Sequence, residues 1–103
     1  MTDREWIEDL LIKRLGEIGK TDQGYNRVAF SDEDWEGRML LWREMEKIGL
    51  QVRMDAAGNL IGRMEGTNPA APAVVSGSHT DTVPSGGTYD GSGGIVSALC
   101  ALR

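Results

Sequence analysis

Cysteine and histidine each occur only once in this 103-residue chain, and proline occurs three times. A single cysteine excludes an internal disulfide and favours a reducing compartment. No stretch approaches the ~20 consecutive apolar residues that cross a bilayer. The charged N-terminus has no apolar segment of the kind found in signal peptides. We therefore expect a cytoplasmic protein with no membrane partner.

Positive charge is also in short supply, since the formal net charge is −5. The lysines and arginines are scattered among acids, which argues against a nucleic-acid partner because such binding needs clustered basic residues. Glycine, in contrast, is abundant: fourteen residues, about twice the usual share. Most of them follow Gly58, which indicates tight turns and close backbone approach in the second half.

Two helices are predicted in the first half of the chain. Apolar residues at steps of three or four predict a helix over 3–19, capped by Thr2 or Asp3 and ended by Gly19. Residues 20–30 have no period and are interpreted as a surface loop.

The second predicted helix opens with Ser31 and ends at Gly49. Ser31 followed three residues later by Asp34 is a near-capping box. A stripe of large apolar residues recurs at helical spacing and is expected to face the core. Its members are Trp35, Met39, Trp42, Met45 and Ile48.

After Gly49 the pattern changes to that of strands. Residues 50–54 and 60–64 predict a β-hairpin around a turn at 55–59. The apolar run 73–75 is typical of a buried central strand, and residues 95–102 predict the start of a helix. The expected fold class is α/β, as a partial three-layer sandwich of two N-terminal helices, a hairpin, a central strand and the start of a helix.

The only histidine, His79, follows directly on the predicted central strand, where open α/β sheets place their ligands. A neutral imidazole is a good metal ligand. Asp81 could hold the other ring nitrogen and fix the tautomer, and Asp90 has two oxygens with which to bridge two ions. The spacing alone leaves a second interpretation open, because a His-x-Asp pair is often structural and Asp90 could simply cap the next helix.

The segment GSHTDTVPSGGTYDGSGGI at 77–95 resembles the first metal motif of the dizinc aminoacylase and carboxypeptidase superfamily. It is most similar to the branch containing N-carbamoyl-L-amino-acid hydrolases, β-ureidopropionase-like enzymes and allantoate amidohydrolases. Residues 24–27 with 30–31 resemble the substrate-side loop of that branch. The stretch 45–60 also fits, so the resemblance extends over nearly the whole chain.

The resemblance implies that His79 ligates one metal, that Asp90 bridges two, and that Asp81 orients His79. It also implies a cis peptide between Asp90 and Gly91. The cofactors would be two divalent ions, zinc or manganese, and the substrate a small ureido or N-carbamoyl compound. No substrate-binding residue is assigned.

Members of that branch are about four times longer than this chain, and their general-base glutamate and two further histidines have no counterpart here. Residues 1–103 are therefore expected to be the N-terminal part of a metal-dependent catalytic domain, without the lid or dimerisation domain and the C-terminal part. The full enzyme is expected to be a homodimer. The chain alone is expected to bind metal weakly, to be inactive and to self-associate.

Two alternatives stay open at this point. The chain could come from another enzyme of the superfamily, such as an aminoacylase or dipeptidase. It could instead be a non-catalytic remnant that self-associates or binds a partner, because an unpaired strand edge invites association.

Overall fold

The structure is a computed structural model that describes all of residues 1–103. Residues of the helical segments make up most of its hydrophobic core. The helices are α1 (Asp3–Ile7), α2 (Asp32–Ile48) and α3 (Ser92–Leu102). Two antiparallel hairpins pair β1 (Lys20–Thr21) with β2 (Gly24–Tyr25) and β3 (Gln51–Met54) with β4 (Leu60–Arg63). The α/β class predicted from the sequence is confirmed.

The first helix extends beyond α1 without a break, but its hydrogen bonding changes along the way. After Asp3–Ile7 it widens into π-helical turns over Glu8–Arg14 and closes as a 3₁₀ turn over Leu15–Glu17. A full capping box opens it, since the Thr2 hydroxyl accepts from the backbone of Glu5 and the Glu5 carboxylate accepts from the backbone of Thr2. The predicted helix over 3–19 is therefore present, with irregular turns that its apolar spacing did not indicate.

Helix α2 has both predicted ends. The Ser31 side chain accepts a hydrogen bond from the Asp34 backbone N–H, and Gly49 ends the helix in the left-handed conformation with φ of 98°. The Asp34 carboxylate does not bond back to Ser31 and instead accepts from the backbone N–H of Phe30. The Asp34 side chain therefore caps the backbone N–H of Phe30, one residue before the Ser31 N–H that a standard capping box would use.

The β3–β4 hairpin also confirms its prediction, with Gln51 opposite Arg63 and Met54 opposite Leu60. The Asp55 carboxylate holds the turn by accepting from the backbone of Ala57 and from Asn59, and these hydrogen bonds lower the pKa of Asp55.

Residues 20–30 differ from the predicted surface loop. They contain the small hairpin β1–β2, and Tyr25 and Gly86 form a further antiparallel bridge to the glycine-rich segment. A polar composition with two turn residues hid this pairing, because the partner of Tyr25 is far away in sequence.

The predicted central strand at 73–75 is wrong for this chain. These residues belong to no strand, and the side chains of Val74 and Val75 are 99% and 87% exposed. Their apolar character matches that of a buried strand, but no other segment of the chain lies beside them to form a ladder.

The core is formed by the N-terminal helical run, one face of α2, and α3. Its fully buried members include Leu10, Leu15, Leu41 and Val96. The apolar stripe predicted on α2 reaches this core at Met45, but Trp35 is 55% exposed. Trp35 instead lines an open apolar groove together with Met39, Trp42 and Met54. A stripe at helical spacing fixes which residues share a face, and α2 directs only part of that face inward.

Helix α3 begins at Ser92, three residues before the predicted start at 95. The glycines at its first turn obscured the helical period. No helix in the chain is both long enough and apolar enough to cross a membrane.

Candidate metal centre

His79 lies on the segment that leads into the glycine-rich turn, and Asp81 contacts the Nδ1 side of its ring. The ring Nδ1 is 3.0 Å from the backbone oxygen of Asp81 and 3.3 Å from its carboxylate Oδ1. Both oxygens can only accept, so Nδ1 must carry the hydrogen. When the imidazole is neutral, this hydrogen on Nδ1 leaves the lone pair on Nε2.

The free Nε2 of His79 faces Asp90, which the turn before α3 carries. Nε2 and Oδ2 of Asp90 are 3.5 Å apart, longer than a hydrogen bond between them would be. When the ring is neutral with its hydrogen on Nδ1, both atoms are acceptors that face each other without a donor. The pair is open to solvent, since the side chains are 52% and 85% exposed.

The spacing of these two acceptors suits a shared cation. Ligands bound at about 2.0–2.1 Å to a tetrahedral zinc ion lie ~3.3 Å from each other, close to the separation of Nε2 and Oδ2. An imidazole nitrogen and a carboxylate oxygen are also donor types that zinc accepts. The residues present therefore fit a metal ion as two of its ligands.

Two glycines let the start of α3 approach the histidine segment. Gly91 has a φ of 71°, and any side chain on it would overlap the His79 ring and backbone. One turn further, a β-carbon on Gly94 would lie 2.9 Å from Cβ of Ser78. The helix start and the histidine segment thus lie against each other with no room for a methyl group.

The implied cis peptide between Asp90 and Gly91 is absent, since the chain has no cis peptide bond. The reversal at this point comes from the positive φ of Gly91, which a glycine adopts without steric penalty.

The structure brings His79, Asp81 and Asp90 together as the sequence predicted, but it does not complete a metal site. Nowhere does the chain gather three or more histidine, cysteine, aspartate or glutamate side chains in a metal-binding arrangement. Catalytic zinc sites have three protein ligands plus water. His79, Asp81 and Asp90 therefore do not make up such a site by themselves.

One residue that supports this site was missed from the sequence. Arg27, placed in the predicted surface loop, is 1% exposed and lies beneath the site. It bonds to the backbone oxygen of Thr80, next to His79, and to the hydroxyl of Ser92, two residues after Asp90. Only its position in the loop that resembles the amidohydrolase branch could have singled it out, because a lone arginine among polar residues carries no local signal of burial.

Comparison of the sequence with known proteins finds close relatives among amidohydrolases. The chain is 48% identical over 89 residues to an N-carbamoyl-L-amino-acid amidohydrolase from Pseudomonas sp. (strain NS671), which covers 85% of the chain and 22% of that protein. It is 38% identical over 93 residues to the allantoate amidohydrolase of Bacillus subtilis (strain 168), covering 89% of the chain and 23% of that protein. The chain thus spans about a quarter of the length of these relatives. No family model matches it.

The fold leads to the same group. A crystal structure of a hydantoinase/carbamoylase family amidase from Burkholderia ambifaria superimposes with a TM-score of 0.91 at 35% sequence identity. The match covers 100% of the chain and 25% of that structure.

Proposed function

Because this chain belongs, by sequence and by fold, to the family of N-carbamoyl-L-amino-acid and allantoate amidohydrolases, we propose that it carries part of a metal-dependent site for hydrolysing linear C–N amide bonds. The substrates would be N-carbamoyl amino acids, allantoate or related ureido compounds.

The observation that supports this proposal is the pair of acceptors formed by His79 Nε2 and Asp90 Oδ2 at 3.5 Å. Two unprotonated acceptors that face each other repel unless a cation or a proton lies between them. Their separation suits a zinc ion bound at about 2.0–2.1 Å to each of them. A bound divalent ion would therefore satisfy both acceptors.

Each of the three residues has a distinct part in this proposal. His79 contributes its Nε2 lone pair as a ligand. Asp90 would hold the same ion through its carboxylate. Asp81 accepts the Nδ1 hydrogen of His79, which would keep the ring in the ligating tautomer.

Two zinc or manganese ions, when bound, would supply Lewis acidity to the substrate carbonyl and lower the pKa of a water molecule. The reaction with an N-carbamoyl amino acid consumes one water and yields the free amino acid, ammonia and carbon dioxide. The names of the relatives support this substrate class, since they act on N-carbamoyl-L-amino acids and allantoate. The residue that removes the proton from water is not among the three described here.

Zinc titration followed by NMR tests the metal part of this proposal. The chain contains a single histidine, so its imidazole gives one unambiguous pair of ¹⁵N signals. We expect Zn²⁺ to shift the Nε2 signal of His79 and to leave Nδ1 protonated. Asp90→Asn should weaken the titration at least about tenfold, since it removes one of two ligands.

Asp32→Asn is the matched control, because Asp32 is an exposed carboxylate at the start of α2, outside the site. It should leave the titration unchanged. An unchanged His79 spectrum at millimolar Zn²⁺, or an equal effect of both substitutions, would contradict the proposal.

The chain by itself is expected to hydrolyse no N-carbamoyl amino acid, because two protein ligands do not make a catalytic centre. Release of ammonia from N-carbamoyl-L-amino acids measures this. Metal-dependent turnover by the purified 103-residue chain would contradict the expectation.

A second candidate function is self-association, favoured by the exposed apolar segment at 73–75. Val74 and Val75 are apolar and almost fully exposed, and no strand of the chain pairs with them. Exposed backbone that pairs with no strand can bond to a second copy. We propose that copies of this chain associate through residues 73–75, and sedimentation in the presence of a chelator tests whether they do so without metal.

A further inference from the structure

The Arg27 side chain donates hydrogen bonds to the segments that carry His79 and Asp90 and to the end of the first helical run. Its Nε donates to the backbone oxygen of Thr80 at 2.8 Å, and Nη2 donates to Oγ of Ser92 at 2.9 Å. Nη1 donates to the backbone oxygens of Leu15 and Ile18 at 3.0 and 2.8 Å. One rigid, planar group therefore holds the segments of His79 and Asp90 at a fixed spacing from the end of the helical run.

The backbone of Arg27 adds two further bonds on the other side of Asp81. Its N–H donates to Oγ1 of Thr82 at 3.0 Å, and its carbonyl accepts from the Thr82 N–H at 2.7 Å. Both neighbours of Asp81 are thus bonded to Arg27. Since Asp81 orients the His79 ring, Arg27 also determines the position of the Asp81 carboxylate.

The positive charge of Arg27 has no carboxylate partner within ion-pair distance, although eight other pairs in the chain join a lysine or an arginine to a carboxylate. Burial lowers the pKa of Arg27, which reflects the free energy needed to desolvate its guanidinium. A buried and unpaired cation is an expensive way to stabilise a fold. A smaller or apolar side chain could not make the four hydrogen bonds of the Arg27 guanidinium.

Arg27 is also unable to serve as a substrate ligand in this arrangement. It is 1% exposed, and four of its five N–H donors are already bonded within the chain. Its effect on the site must therefore pass through the segments that it holds.

We propose that Arg27 is a positioning residue that sets the separation and orientation of His79 and Asp90 without touching either. The proposal rests on the proposed function for the metal, but its consequence for His79 holds in the metal-free chain as well. Loss of the guanidinium should let the two segments drift apart, so that the Nδ1 hydrogen bond weakens and the acceptor pair opens.

Arg27→Lys in the full chain, read by ¹⁵N NMR of His79, tests the proposal directly. A lysine keeps the charge but cannot reproduce four bonds in a planar fork. In the metal-free protein we expect the imidazole to lose its single tautomer and show a mixture of Nδ1-H and Nε2-H forms. In the Zn²⁺ titration we expect affinity to fall at least about tenfold, as for other residues that orient metal ligands indirectly.

Arg14→Gln is the matched control. Arg14 is a partly buried arginine that pairs with Glu44 and Asp9, away from the site. It should lower stability while leaving the His79 tautomer unchanged and Zn²⁺ affinity within about twofold. Equal tautomer changes in Arg14→Gln and Arg27→Lys would show that general loss of stability is the cause, and would overturn the proposal.

Ser92→Ala keeps the test decisive if Arg27→Lys fails to fold. It removes only the Nη2 acceptor and leaves Arg27 in place, so the chain should stay folded, with Zn²⁺ affinity lowered by less than the ~tenfold expected for Arg27→Lys, because one of four side-chain bonds is lost. A folded Ser92→Ala chain with the wild-type tautomer and affinity would overturn the proposal. If the wild-type chain binds no Zn²⁺, the function proposed above fails, while the metal-free tautomer comparison still decides the role of Arg27.

Discussion

Gly91 and His79 are in such close contact that a β-carbon on the glycine would lie 2.5 Å from Nδ1 of the imidazole. This contact joins the start of α3 to the histidine segment. The backbone at position 91 has a φ of 71° and packs against the ring, and both are possible because glycine has no β-carbon.

Gly91→Ala should therefore displace the imidazole and weaken Zn²⁺ binding at least about tenfold, since the added methyl group and the ring compete for the same space. The alanine also has to adopt a left-handed backbone, which should lower stability by about 1 kcal/mol or more. Gly93→Ala is the control, because a β-carbon there meets nothing within 4 Å. It should leave the site intact and stabilise α3 by up to ~1 kcal/mol. Equal effects of the two substitutions in an NMR-monitored titration would argue against the contact.

Glu44 on α2 gives the chain a defined response to acid. Its carboxylate is buried and pairs with Arg14 and Lys47. Burial acts to raise its pKa, but the hydrogen bonds from Arg14 and Lys47 outweigh burial, and the pKa of Glu44 is lowered. A lowered carboxyl pKa contributes stability that is present above the unfolded value of about 4.3 and is lost as the pH falls through the folded value.

Glu44→Gln should accordingly lower the free energy of unfolding by about 1–3 kcal/mol at pH 7, and the difference from wild type should shrink below about pH 4. Urea titrations across this pH range measure it. Glu46→Gln, an exposed position on the same helix, should have little effect at any pH. A difference between Glu44→Gln and wild type that stays constant down to pH 2 would disprove the assignment.

Leu10 lies at the centre of the core and is fully buried within the π-helical turns. Leu10→Ala should lower the free energy of unfolding by about 2–5 kcal/mol, because the lost methyl groups leave a cavity that rigid neighbours cannot fill. Ile12→Ala changes a residue on the same turns that is 38% exposed, and should have an effect below about 1 kcal/mol. Thermal unfolding monitored by circular dichroism compares them, and similar losses would show that Leu10 is not enclosed as described.

The exposed segment at 73–75 leads to a prediction about association. Val74→Lys should shift the chain toward monomer, because a charged lysine on this exposed segment opposes pairing with a second copy. Sedimentation velocity at high protein concentration measures this shift. Val28→Lys alters a valine that is 40% exposed outside the segment, and should leave the sedimentation unchanged. A wild-type chain that is monomeric at all concentrations would remove the basis for this expectation.

Much of the fold was predictable because its signals are local. Ser31 and Gly49 mark the ends of α2 by the chemistry of their own positions, and the alternating pattern of β3 and β4 needs only the turn between them. The candidate site was predictable for a similar reason, since His79, Asp81 and Asp90 lie within one short segment.

The features that were missed depend on partners far away in the chain. Arg27 is buried by acceptors 9 to 65 positions distant, and those in the site segments, 53 and 65 positions away, lie beyond any local window of sequence. Apolar character at 73–75 and at Trp35 indicates that these side chains favour burial, but it does not supply a neighbour to cover them. The π-helical turns at Glu8–Arg14 have no signature in the apolar spacing at all.

The bonds of Arg27 also bear on how the chain folds. They join segments from the first helix, the histidine segment and the last helix, so they can form only after long loops have closed. The Thr82 amide, which donates to the Arg27 carbonyl, should therefore exchange with solvent deuterium only when the whole chain opens. His79 and Asp90 would then acquire their spacing in the last stage of folding and lose it only when the core opens.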